Sequence, residues 1–349
     1  MIYLPYSNNE KGGESCLFAY CMKRAGMLIP VLIGMTLVVF SIIRFIPGNP
    51  AQVILGQRAT KEAVEQLTIQ LGLDQPWYVQ YGHYILGLLK GDLGTSIRTG
   101  AAIAQEMKPY LFATLELTFF AMLLAIMVGV NAGIISAWFK HSFFDYVAMF
   151  IALIGVSMPI FWLGLMGQWL FSIELGILPT TGRENVRNPV DSITYIHTLD
   201  TLLQGRFDQF IDSIKHLILP STALATIPAA IIARITRASM LEVLHSDFIR
   251  TAKAKGVRSF FIIYQHGLKN ALIPILTIIG LQTGLLLGGA ILTETIFAWP
   301  GIGRYIYDAI SYRDYPVIQT GILVVALIFV LINFIVDILY AVIDPRIKY

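Results

Sequence analysis

The chain has 349 residues, 56% of them hydrophobic and only 13% charged, with a mean hydropathy of +0.68. An average soluble domain carries roughly 25% charged residues, so this composition excludes a disordered chain, a collagen-like repeat, a basic nucleic-acid binder and a disulfide-stapled secreted module. The net charge of +3 is small, and an integral membrane protein is the class that remains.

The chain opens with a polar arm, 1–25, that holds both cysteines, Cys16 and Cys21. A C-x4-C pair without neighbouring histidine makes a poor zinc site, so the thiols read as structural or incidental. The first apolar stretch follows near Met27 with no small-residue cleavage site behind it, so it is expected to stay as a membrane anchor over 26–45. Charge-free windows then give six spans: Met27 to Ile43, Leu117 to Phe139, Tyr146 to Ile173, Leu217 to Ala233, Asn270 to Thr293 and Tyr315 to Val336. A helix needs about 20 mostly apolar residues to cross the hydrocarbon core. Lipid offers the backbone no partners, so the spans are helices and the expected fold is an all-α polytopic membrane protein. Pro159, Pro220, Pro228 and Pro274 fall inside spans, as local packing kinks or as hinges between two states.

Segment 46–108 is too long and too patterned for a bare loop. Thr60 can cap a helix with Glu62 and Glu65 in its first turn and Val64, Leu67 and Leu71 on one face, ended by Gly72. Pro76 suits the start of a second helix whose Trp77, Tyr81, Ile85 and Leu88 share a side, as a helix on the membrane surface would. Gly91 to Ser96 turns the chain back, and a second polar excursion, 174–216, contains a turn at Pro179 to Gly182. The core, 109–343, carries spans two to six, and a short tail, 344–349, ends the chain.

Orientation follows from the basic residues. With the N-terminus inside, 13 of the 80 inner residues are Lys or Arg, against 12 of the 137 outer ones. The inner density is the higher, as the positive-inside rule expects, and both termini come out cytoplasmic. Seven of the inner basic residues lie in one segment, 234–269. There Ser246 or Asp247 can cap a helix over Phe248 to Lys255, which Gly256 ends. A cationic helix of this kind fits either a solvated loop against anionic lipid or a rod docked into a groove on a cytoplasmic partner.

The same segment carries a resemblance. Asp247 to Gly256, followed by His266, Asn270 and Pro274, is similar to the motif that couples the transmembrane permease subunit of ATP-binding-cassette importers to its ATPase, in the variant of the dipeptide, oligopeptide and nickel class. The general motif begins Glu-Ala-Ala. Here Arg250 and Thr251 take its first two places, and only Ala252 and Gly256 match. Further similar stretches run in order along the chain: Pro47 to Pro50, Gly91 to Ser96, Ser157 to Gly164, Leu178-Pro179 before Gly182-Arg183, Arg234 and Arg237 before Glu242, Glu294 to Phe297, Trp299 to Gly303, Arg313 to Pro316, and Asp344 to Arg346. The resemblance covers nearly everything from about residue 20.

It implies the ABC type I importer permease fold in a bacterial or archaeal cytoplasmic membrane. The chain would supply half of a path for di- or oligopeptides, or for nickel or another small solute. The implied partners are a homologous second permease subunit, two cytoplasmic ATPases that bind ATP and Mg, and an extracytoplasmic solute-binding protein. The ATPase-coupling residues would be Asp247, Arg250, Ala252, Lys253, Lys255, Gly256 and Arg258. No cofactor is expected on the chain itself. It contains no G-x-x-x-x-G-K-[S/T], so it lacks a P-loop to hold phosphates, and the glycines from Gly284 to Gly289 suit helix packing instead.

Other readings predict features that the sequence lacks. A secondary transporter calls for midspan carboxylates and an inverted repeat, whereas Glu116, Glu294 and Asp337 stand at span edges, where they suit either water or Lys/Arg partners or a polar pathway that meets a peptide's amino group. A membrane enzyme calls for convergent His, Asp, Glu or Ser groups at bilayer depth. The six histidines are scattered, with no pair at metal-ligand spacing on one helix. Ser157, Gln168, Asn131, Thr277, Gln282, Thr283 and Asn333 can line a path or bond helices together.

Overall fold

The computed structural model describes residue 22 and residues 26–41, 50–56, 59–70, 72–185 and 189–343. The expectations for Cys16, Cys21, Pro47 to Asn49 and the tail 344–349 lie outside the described residues. Within them the fold is all α, with one isolated bridge between Thr95 and Ala102.

The first helix, α1 (Gly26–Ser41), is apolar and 16 residues long. Three short helices follow: α2 (Pro50–Leu55), α3 (Lys61–Gln70) and α4 (Trp77–Leu89). The Thr60 hydroxyl accepts the Ala63 N–H at 3.3 Å, and Gly72 takes φ +62° just beyond α3, as their sequence positions predict. On α4, Tyr81 meets Thr36 of α1 through a 2.8 Å hydroxyl pair and Phe40 edge-on at 5.2 Å, while Trp77, Tyr78 and Leu89 stay exposed.

The core is built on α5 (Ile103–Trp138) and α9 (Phe207–Leu244), of 36 and 38 residues. Both are much longer than their charge-free windows, because helices continue past the apolar band wherever other helices cover them. They run parallel: Gly129 of α5 faces Ala229 and Ile232 of α9, and Gly133 faces Ala233 and Thr236. A Cβ on either glycine would overlap the α9 backbone, so close approach is what these glycines serve.

The third expected span is broken. Helix α6 (Phe143–Ser157) and the helix from Ile160 to Glu174 meet at 102° across Met158 and Pro159. Here proline interrupts a helix. Pro109, Pro220, Pro228 and Pro274 instead sit inside continuous ones. The second half starts as α7 (Ile160–Gly167) and widens into a π-helix over Gln168–Glu174.

Helix α8 (His197–Leu203) precedes α9, and α10 (Asp247–Ala254) follows it. Then α11 (Ser259–Phe261), a π-helical stretch over Ile262–Leu268 and α12 (Lys269–Gly289) form one rod. Two short helices, α13 (Ile291–Ile296) and α14 (Ile302–Tyr312), lead to α15 (Tyr315–Ile343). The fifth window therefore ends at Gly289 rather than Thr293. Helices α12 and α15 are antiparallel, with Gly280 under Val336 and Gly284 under Phe329.

Among the described residues four helices are long and apolar enough to cross a membrane, or five with the bent pair counted as one span. All the spans carry outward apolar side chains, such as Phe119, Phe150, Leu285 and Leu331, as a lipid-facing surface requires.

Candidate functional site

Helix α9 ends at Leu244, and the chain turns through His245 and Ser246 into α10. Ser246 does occupy the N-cap position, with extended backbone. Its hydroxyl, however, donates back to the Val243 carbonyl at 2.6 Å, so no side chain caps α10. The helix starts one residue earlier than its sequence boundary predicts. At its other end the Val257 N–H reaches the Ala252 carbonyl at 3.2 Å, and the Gly256 N–H reaches Lys253 at 3.0 Å. That pair of bonds is a Schellman cap, and it requires the left-handed conformation that Gly256 takes at φ +73°.

Of the seven expected coupling residues, Asp247, Arg250, Lys253, Lys255, Gly256 and Arg258 are exposed, and Ala252 is half-buried. One side chain, Ile249, holds the helix to the bundle: it is fully buried, while Phe248 stays 47% exposed. Arg250 lies 3.4 Å from Asp247, but both side chains are in solvent, so the pair contributes little to stability. Lys253 sits 5.7 Å over the ring of Trp138, the last residue of α5. The helix thus presents a polar, mostly cationic outer surface and touches the ends of both α5 and the α11–α12 rod. Nearby, the small Gly267 packs against Met240 and Leu244.

A buried ion pair braces the same end of the bundle. Asp145, 2 residues into α6, accepts from Arg237 Nε at 2.7 Å and from its Nη2 at 2.8 Å, and also from the Ser136 hydroxyl and the His141 N–H. This bidentate fork ties the start of α6 and the end of α5 to α9, ten residues before α10.

The opposite end has its own polar networks. Glu116 on α5 is 3% exposed. It accepts from Arg183 Nε at 2.9 Å and from the Thr198 N–H and hydroxyl at 2.8 and 2.7 Å. It therefore holds Arg183 and the start of α8 onto the core, through an arginine partner of the kind its span-edge position predicts. Glu294 differs: it is fully buried, and it accepts from the Thr114 hydroxyl and the Arg304 N–H. Nearby, Trp299 donates to the Ala113 carbonyl at 2.9 Å and is itself fully buried.

Residues 129–349 match the family described as binding-protein-dependent transport system inner membrane component. The chain belongs to this family. Residues 17–104 of this transport component also match the N-terminal unit described for such membrane components. A dipeptide transport system permease protein, DppB, of Alkalihalophilus pseudofirmus is 65% identical over 333 residues, covering 95% of this chain and 100% of that protein. A di/tripeptide transport system permease protein of Pseudomonas aeruginosa is 47% identical over 95% of this chain and 99% of its own length. A glutathione transport system permease protein, GsiC, of Escherichia coli is 43% identical over 95% and 99%. Among solved structures, the inward-facing MetNI methionine ABC transporter aligns with a TM-score of 0.51 at 17% identity, over 67% of this chain and 94% of that one. That likeness establishes the fold as the ABC importer permease fold.

The transport component is thus a multi-pass inner membrane protein and a permease subunit. Sequence reasoning found α10 and its glycine cap from charge, small residues and a stop signal. It missed the Asp145–Arg237 fork. Arg237 stands out in the sequence only as part of a similar stretch, and Asp145 lies just before the third apolar window. Their pairing crosses 92 positions of sequence, which no local pattern reveals.

Proposed function

We propose that this transport component is one transmembrane subunit of an ATP-driven importer and forms half of the path for di- and oligopeptides delivered by an external binding protein. The observation that carries the solute class is the 65% identity, across the full length of the relative, to a protein named as a dipeptide permease. Glutathione, the solute named for another relative, is itself a peptide.

The second permease subunit is a homologue of this chain, and two cytoplasmic ATPases bind ATP and Mg, which this chain does not hold. Six spans, with α1 as the first and the bent pair as the third, put both termini in the cytoplasm. Helix α10 then lies on the cytoplasmic side as the coupling element, through Asp247, Arg250, Ala252, Lys253, Lys255, Gly256 and Arg258. Its exposure supports this: an eight-residue helix with a single buried anchor has no packing role that explains six exposed positions. Closure of the ATPases on ATP would push α10. The stiff ends of α5, α9 and α6, braced by Asp145 and Arg237, would carry the push into the bundle, because a ligand shifts a conformational equilibrium only through contacts that differ between the two states.

The test is uptake of labelled di-, tri- and longer peptides, and of nickel, by a strain deleted for this chain, with and without the chain restored. Peptide uptake that returns with the chain is the expected result. Restoration of nickel uptake alone would overturn the peptide assignment.

A further inference from the structure

At the end of the bundle opposite α10, a cavity of about 380 Å³ opens between the 91–102 loop, the first turns of α5 and helix α14. Its size is that of a small-ligand pocket. Hydrogen bonds tie its walls together. The Ser96 hydroxyl donates to Asp314 at 2.5 Å, the Arg98 N–H to the same carboxylate oxygen at 3.2 Å, and the Thr99 N–H to Ser96 at 3.1 Å. Tyr305 stacks on Tyr110 at 4.7 Å and donates its hydroxyl to Glu106 at 3.0 Å. Asp314 and Glu106 are thereby engaged in holding the wall.

Three further charged side chains line the cavity. The Arg98 guanidinium lies over the Tyr312 ring at 3.9 Å, and it, Arg304 and Asp308 form no side-chain hydrogen bond or ion pair among the described residues. Two unpaired guanidiniums and one unpaired carboxylate in one small cavity are complementary to a molecule that carries both a carboxylate and an ammonium group. A guanidinium resting on a ring face is already ordered for a forked bond to a carboxylate, so less conformational freedom is lost on binding.

We propose that this pocket binds a small zwitterion, with its carboxylate on Arg98 and Arg304 and its ammonium group on Asp308. The choice of a short peptide as that zwitterion rests on the function proposed above; the charge complementarity does not. The site would give the permease its own weak hold on the solute at the mouth remote from α10.

The experiment is equilibrium binding of a radiolabelled dipeptide to the purified membrane complex in lipid nanodiscs, with the external binding protein left out. Saturable binding is expected, weakened about tenfold by Arg304→Gln, by Asp308→Asn, by C-terminal amidation and by N-acetylation of the peptide, since a lost charged hydrogen bond is of that order. The two modified peptides are read on the unaltered complex, so they decide the matter even if a variant fails to fold. No saturable binding, or binding indifferent to all four changes, overturns the site. Uptake of the same peptide, measured with binding protein and ATP restored, separates the two claims. Uptake without independent binding removes the pocket alone. Binding without uptake removes the peptide-import reading and leaves the zwitterion site.

Discussion

The carboxyl group of Glu294 fills the space that a side chain at Gly301 would need. Gly301 has ordinary extended backbone, φ −96° and ψ 167°, so its glycine is required for room and not for conformation. The neighbouring Gly303 faces the same carboxylate and Ile291. Thr114 then bridges the two sides of this contact: its hydroxyl donates to Glu294 at 2.5 Å and accepts the Ile302 N–H at 2.8 Å. Gly301→Ala is expected to lower the stability of the purified chain by about 1–3 kcal/mol through overpacking, read as a fall in thermal unfolding temperature. Combined with Glu294→Ala, it should cost less than the sum of the two single changes, because the second substitution vacates the space. Strict additivity would show that the two residues do not compete for it.

At Gly256 the reason for glycine is the opposite. Nothing lies within 4 Å of a Cβ there, yet φ is +73°. Gly256→Val should therefore cost about 1–2 kcal/mol of local backbone strain, confined to the end of α10. The expected outcome is loss of transport-coupled ATPase activity in the assembled complex with little change in its unfolding temperature. Gly256→Asn, which tolerates the left-handed region, should restore most of the coupling. Equal ATPase activity in the valine variant and the parent would remove α10 from the coupling role.

The fork between Arg237 and Asp145 is mostly buried, with side chains 27% and 3% exposed. Breaking a buried pair from one side leaves an uncompensated charge, at about 3–5 kcal/mol. Arg237→Gln alone and Asp145→Asn alone should each destabilise the purified chain strongly. The double variant should recover part of the loss, and a double-mutant cycle on unfolding temperature measures the coupling.

Gly129 and Gly133 stand four residues apart on the α5 face that meets α9. Gly133→Leu should force the two helices apart and abolish accumulation of the chain in the membrane. Gly34→Leu, where nothing lies within 4 Å, should leave accumulation unchanged. Immunoblots of membrane fractions compare the two.

His197 begins α8, 3.4 Å from Glu184. Burial pushes its imidazole pKa below the ordinary value, against the raising effect of the Glu184 carboxylate. A histidine whose folded pKa is depressed stabilises the fold fully above its unfolded value of about 6.5, and that contribution is lost as the pH falls. Amide protection factors across 193–203, corrected for the intrinsic pH dependence of exchange, should fall between pH 7.5 and 5.5, and His197→Gln should flatten the change. Protection factors that do not change with pH in the parent would contradict the assignment.

By itself the sequence determined what local chemistry can encode. Apolar windows too long for a soluble core required membrane helices, and Thr60, Gly72 and Gly256 marked helix ends because capping acts over a few residues. The cationic surface of α10 was legible for the same reason. The tertiary structure decided what depends on neighbours. Helices α5 and α9 extend well beyond their apolar windows because each covers the other, and Pro159 breaks a span where Pro220, Pro228 and Pro274 do not. Glu116 and Glu294 looked alike as span-edge carboxylates, yet one faces an arginine and the other a threonine hydroxyl and a backbone amide. Their partners lie between 10 and 180 positions away in sequence. Only folding brings such groups within hydrogen-bond distance.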